Sequence, residues 1–156
     1  NVALFRLIRI ARYVLRRDYR ESVLGIHVFH DTRLLFFAAR TEEKPQQNDE
    51  QKNAEMLALS SATEKENNWW LEDCDVYVTL EPCSMCAGAM INSRIRALYF
   101  GAYDEKTGAC GSKVNLFEKG LFNHDVEVSG GYMKEECSAL LSDFFKAKRK
   151  NRKSDK

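Results

Sequence analysis

The run VYVTLEPCSMCAGAMI, residues 76–91, changes its pattern halfway along. Val76 to Leu80 is a short block of β-branched, aromatic and aliphatic side chains, the composition of a buried strand. From Cys83 to Met90 the residues are small or unbranched, and Pro82 stands at the helix start, where a fixed φ and a missing N–H cost nothing. A strand is therefore predicted to run directly into a short helix. Outward from this pair the alternation continues: Ala54 to Lys65 is predicted helical and Ala97 to Ala102 is predicted as a second strand. Val126 to Ser129 adds a short strand, and Lys134 to Lys148 (KEECSALLSDFFKAK) forms a closing amphipathic helix. Strands alternating with helices argue for an α/β sheet with crossover helices.

Upstream, residues 3–20 place Leu4, Leu7, Ile8, Ala11, Val14 and Leu15 at helical spacing with Arg between them, which predicts an amphipathic helix. His30, Asp31, Thr32 and Arg33 offer a turn between GIHVF and LLFFA, so a hairpin is expected from Val23 to Phe37. Residues 41–52 carry a Pro and no large apolar side chain, the mark of an exposed loop. Composition breaks at the same place. Residues 1–52 hold eight Arg, two Lys and one Gly, against four Arg, ten Lys and seven Gly in 53–156.

With 156 residues, 44% of them hydrophobic and 30% charged, the chain is expected to form one domain with one core. Only eight Gly and two Pro exclude a collagen-like or linker-dominated chain. The longest apolar stretches fall far short of the roughly 20 residues of a membrane span, so no membrane partner is expected and the chain is read as cytoplasmic. Five cysteines at irregular spacing do not form a disulfide framework; reduced thiols are expected. The net charge of +1 conceals a tail, Lys146 to Lys156, with seven basic residues against Asp155 alone. Such a tail can neutralise phosphates or simply be a solvated helix end.

Cys83 and Cys86, three apart at a helix start, share one face and can converge on one ion. The partial positive charge of a helix N-terminus lowers thiol pKa, and thiolates are the species that bind Zn²⁺. A lone C-x-x-C is not specific. Redox use wants it after the first strand of a thioredoxin-like unit, and a structural zinc site wants a second C-x-x-C, which is lacking here.

Upstream, Asn53-Ala54-Glu55 opens the preceding helix as NAEMLAL. With NWWL (68–71), YVTLEPCSMCAGAM (77–90), SRI (93–95), FGAYDEKTGACGS (100–112), FNH (122–124) and EECSALLSDFF (135–145), the chain resembles the bacterial tRNA-specific adenosine deaminase family of the cytidine and deoxycytidylate deaminase superfamily. The resemblance implies a three-layer α/β/α cytidine-deaminase-like fold with a mixed central sheet of about five strands. One deaminase domain is expected over 1–156: a divergent helix and hairpin in 1–52, the deaminase body in 53–148 and the basic tail in 149–156. It implies zinc-dependent hydrolytic deamination of the wobble adenosine of tRNA to inosine, with one Zn²⁺ per chain. Its partners would be a tRNA anticodon stem-loop and a second copy of the chain in a homodimer. By position, Cys83 and Cys86 are implied zinc ligands and Glu55 the proton shuttle. Asp104, Lys106, His124 and Phe145 are implied substrate contacts.

Asn53 stands where the family has a His zinc ligand, and Arg40 and Thr41 stand roughly where it has an H-N pair. An amide oxygen is a poorer ligand for Zn²⁺ than imidazole. If a structural zinc site contributes roughly 10–16 kcal/mol, losing one of four ligands removes about 3–4 kcal/mol, a factor of several hundred in affinity. Two other functions follow as rivals: a catalytically impaired RNA-binding homologue or partner subunit, and a deaminase of a free nucleobase or nucleotide. Phe144 and Phe145, adjacent on one helix, cannot share a face, so at least one is expected in the core. Cys74, Cys110 and Cys137 are expected to be small buried hydrophobes.

Overall fold

The computed structural model describes residues 34–36 and 54–154. Among these residues three helices and four strands follow in the order β1 (Leu34–Phe36), α1 (Ala54–Glu66), β2 (Asp75–Leu80), α2 (Ser84–Asn92), β3 (Ala97–Ala102), β4 (Glu127–Ser129) and α3 (Lys134–Ser154). The expected helix over 3–20, the first limb of the hairpin and the loop 41–52 lie outside the described residues.

The strands form one sheet in the order β1-β2-β3-β4, and every pairing is parallel. The expected mixed sheet of about five strands is thus, among the described residues, a parallel sheet of four. The first limb of the expected hairpin lies outside the described residues. Its second limb, Leu34–Phe36, is present, but it lies parallel to β2, with Leu34 opposite Asp75 and Phe36 opposite Tyr77. Parallel neighbours need a crossover, and here α1 and α2 provide it.

Strand alternation decides which side chains meet which helices. Val76 and Val78 of β2 and Leu98 and Phe100 of β3 join Ala58, Leu59 and Ala62 of α1 and Cys86, Met90 and Ile91 of α2 in one core. Burying a side chain the size of Val, Leu or Phe contributes about 1.5–3 kcal/mol. The alternate residues face the other way. Tyr77 and Tyr99, opposite each other in the ladder, stack with ring centroids 4.7 Å apart. Gly101 lies beside them on β3, and a Cβ there would come within 2.8 Å of Cys137 Cβ and 2.9 Å of the Thr79 carbonyl. That glycine is what lets α3 sit directly on the sheet, so helices cover both faces.

The start of the β2–β3 pair is fastened by Arg96, whose Nε and Nη2 donate to the two oxygens of buried Asp75 at 2.8 and 2.7 Å. This fork-to-fork geometry is the strong form of an Arg–carboxylate pair. α2 closes with the N–H of Arg94 bonded to the Ile91 carbonyl and that of Ile95 to the Met90 carbonyl. These are the two bonds of a Schellman motif, and they place Arg94 at φ 54.

Candidate active site

Helix α1 carries Glu55 in its first turn, where a carboxylate complements the positive end of the helix. Glu55 is half-buried. Helix α2 begins one residue later than predicted. Cys83 is its N-cap, in extended conformation at φ −73 and ψ 169, and Pro82 precedes the cap. The Cys83 carbonyl accepts the first helical bond, from Ala87 N–H at 2.9 Å. Cys83 is half-buried, whereas Cys86, one turn on, is 1% exposed and packs into the core. Both thiols therefore occupy the N-terminal turn of α2, as the spacing predicted.

Antiparallel to this entry runs the loop after β3. Cys83 bridges Gly108, and Ala109 N–H donates to the Pro82 carbonyl at 2.8 Å. Within the loop the Asp104 carboxylate accepts from the N–H of Lys106 at 2.9 Å, from that of Thr107 at 3.3 Å and from the Thr107 hydroxyl at 2.5 Å. Those bonds, the hydroxyl foremost, hold the Asp104 carboxyl below its ordinary pKa. Asp104, expected at the substrate, thus turns its carboxylate into its own loop. Lys106 is exposed.

His124 sits on the crossover to β4, and its Nε2–H donates to the Ile95 carbonyl at 2.8 Å. That bond ties residues 113–126 to the start of β3. Phe145 is half-exposed, at 51%, on α3. Asn53, one residue before α1, lies outside the described residues, as do His30, Arg40 and Thr41. None of the five cysteines, all among the described residues, is in a disulfide. Cys74 and Cys137 are buried as expected, and Cys110 is half-buried. Burial, reinforced by the charge of Glu81, pushes the Cys110 thiol far up and keeps it protonated.

Two features escaped the sequence reading. Glu81, 2% exposed, receives hydrogen bonds from the loop 104–112. Tyr103, at the start of that loop, is 45% exposed and has the Lys134 ammonium 5.4 Å from its ring centroid. An acidic residue ahead of a helix resembles any surface carboxylate until the loop that returns to it is known.

A catalytic zinc site takes three protein ligands. Among the described residues no three His, Cys, Asp or Glu side chains converge closely enough to hold a metal ion. Cys83 and Cys86 offer two sulfurs of the right kind, and Asn53 lies outside the described residues. The two thiols supply two of those three protein ligands.

The family model for MafB19-like deaminases matches residues 11–149. A tRNA-specific adenosine deaminase of Haemophilus influenzae is 46% identical over 110 residues, covering 70% of this chain and 64% of the relative. One of Agrobacterium fabrum is 37% identical over 140 residues, 89% of each chain. A solved structure from a study of A-to-I editing by tRNA:A34 deaminases at the wobble position of transfer RNA superposes with a TM-score of 0.54 at 40% identity, covering 56% of this chain and 64% of that one. The chain thus spans slightly less than two thirds of the Haemophilus relative and of that structure. No described helix is long and apolar enough to cross a membrane.

Proposed function

Because this chain belongs to the tRNA-specific adenosine deaminase family of MafB19-like deaminases, we propose that it acts on the wobble adenosine of a tRNA anticodon stem-loop, replacing the C6 amine with oxygen to give inosine. The net reaction consumes one water and releases one ammonia, with no change of oxidation state. Glu55 is the group that carries protons in this proposal: its carboxylate takes one proton from the attacking water and delivers it to the ring nitrogen N1, then carries the second, from the new C6 hydroxyl, to the amine, which departs as ammonia. The position supports that role, since the first turn of α1 packs in the same core as the helix that bears Cys83 and Cys86.

We include in the proposal a zinc ion held by Cys83 and Cys86, with Asn53 as the weak third position. When bound, such an ion supplies water activation near neutral pH. Lys106 is exposed and suited to meet a phosphate, while Tyr103 offers an aromatic face beside the Lys134 ammonium. His124 and Asp104 act in this reading by shaping their loops, and Phe145 by its exposed ring on α3. A homodimer in the cytoplasm is the assembly and setting we infer for this chemistry.

The observation that carries the reading is the thiol pair on the first turn of α2, bridged to the loop 104–112, in a chain 46% identical to a tRNA-specific adenosine deaminase. Asn53 favours a second reading, tRNA binding without turnover. Inosine formation on an anticodon stem-loop and on free adenosine, measured for the chain and for Asn53→His, separates them. The expected result is conversion of the stem-loop by Asn53→His, far above that of free adenosine, with slower conversion by the unaltered chain. Equal rates on the two substrates would sink the tRNA assignment; salt-dependent tRNA binding with no inosine from either protein would establish the second reading.

A further inference from the structure

Two acidic side chains are buried among the described residues, Asp75 and Glu81. Asp75 is answered by Arg96. Glu81 is answered by four donors of a single loop. Its Oε1 accepts from the N–H of Cys110 at 2.9 Å and from that of Ser112 at 3.1 Å. Its Oε2 accepts from the N–H of Asp104 at 3.0 Å and from the Ser112 hydroxyl. Both oxygens are thus engaged twice, the full complement a carboxylate takes. Burial alone would push this carboxyl up, yet the bonds from Ser112, Asp104 and Cys110 outweigh it and hold it below the ordinary value.

The loop is shaped around the carboxylate. A Cβ at Gly108 would lie 2.5 Å from Glu81 Cδ and Oε2, so the acid fills the space a side chain there would need. Gly108 is also the residue that bridges Cys83, two positions beyond Glu81. One buried side chain therefore fixes both ends of the loop, Asp104 and Ser112, while its middle is held against the helix entry that carries the thiols.

We propose that Glu81 is the positioning residue of this site: it holds the Asp104–Ser112 loop, with Lys106 at its exposed edge, in register with Cys83. It touches neither substrate nor reacting atoms. The kinetic consequence rests on the deamination proposed above; the structural one does not. Gln at this position cannot serve, because its amide nitrogen would face at least one backbone N–H that has no other way to turn.

The test is amide hydrogen exchange together with steady-state kinetics on an anticodon stem-loop, for Glu81→Gln and Ser112→Ala, each in the full chain carrying Asn53→His. The amides of Asp104, Cys110 and Ser112 are expected to exchange roughly tenfold faster in Glu81→Gln, the factor for one lost hydrogen bond of about 1.4 kcal/mol. Exchange in β2 and β3 stays unchanged. Ser112→Ala, which leaves the carboxylate and three N–H donors, gives a smaller change at the same amides and serves if Glu81→Gln does not fold. KM rises roughly tenfold in Glu81→Gln with kcat within about twofold. Unchanged exchange at the three amides, or a uniform increase that includes β2 and β3, overturns the positioning role. If the parent carrying Asn53→His deaminates nothing, the deamination reading falls, and the exchange result still decides the role of Glu81.

Discussion

The Arg94 guanidinium lies 4.4 Å from the centroid of the Trp70 ring while the Arg94 backbone sits in the left-handed region at φ 54. The side chain is also bonded to Glu72, at 3.2 Å. A position that ordinarily belongs to glycine is therefore occupied by a residue whose side chain offsets the backbone cost. Left-handed backbone costs a non-glycine residue about 1–2 kcal/mol. The cation–π contact and the exposed ion pair return about 0.5–1 kcal/mol each at most. Arg94→Ala keeps the strain and loses the contacts, and should lower the stability by about 1 kcal/mol. Arg94→Gly loses the contacts and the strain together, so it should fall within about 1 kcal/mol of the parent. Denaturant midpoints that rank Ala above Gly would contradict this account.

Gly101 and Cys137 define how closely α3 can approach the sheet. Gly101→Ala should destabilise by about 1–3 kcal/mol, the usual cost of an extra methyl in a filled space. Cys137→Ala removes the sulfur from that space but leaves its Cβ and the Thr79 carbonyl, so the double variant should recover part of the loss. A thermodynamic cycle that shows strict additivity would mean the two sites do not share the contact.

Asp104 gives the loop a pH dependence. Its carboxyl, held down chiefly by the Thr107 hydroxyl, titrates lower in the folded chain than in the unfolded one. A group depressed by folding contributes stability that is complete above its unfolded value, about 3.9, and is lost as pH falls through the folded value. Unfolding of the parent and of Asp104→Ala should therefore differ by a constant amount at neutral pH, with the gap closing below about pH 4. A gap that widens on acidification reverses the sign and refutes the assignment.

Zinc retention should follow residue 53. Elemental analysis after a chelator wash is expected to find zinc retained by Asn53→His, with the unaltered chain binding several hundredfold more weakly, as one ligand's share of about 3–4 kcal/mol implies. Equal, full occupancy in both proteins would show that residue 53 is not a ligand.

Much of this arrangement is written locally. Ala97 to Ala102 was predicted as a strand and is one, because six residues that alternate between two covered faces have no other use. The helix predicted over Cys83 to Ile91 is found at Ser84–Asn92, shifted only because Cys83 caps it. The short strand expected near Val126 is Glu127–Ser129. What was not legible depended on contacts distant in sequence. Leu34–Phe36 belongs to a limb of the expected hairpin, and its pairing with β2 comes through a crossover that no local pattern announces. The bond from His124 to the Ile95 carbonyl spans 29 positions and leaves no local trace. Glu81 is the clearest case, since its donors come from residues 104–112.

Strand order that follows chain order also constrains how the chain reaches its fold. β2 and β3 are joined through residues 81–96, which include a helix able to form early, whereas β3 and β4 are separated by residues 103–126, which contain no helix or named strand. Closing the shorter connection costs less conformational entropy, and it places the largest ladder of the sheet. The folding nucleus is therefore expected in β2–α2–β3, with β4 docking last. Leu98→Ala should slow refolding, while Val128→Ala should mainly hasten unfolding.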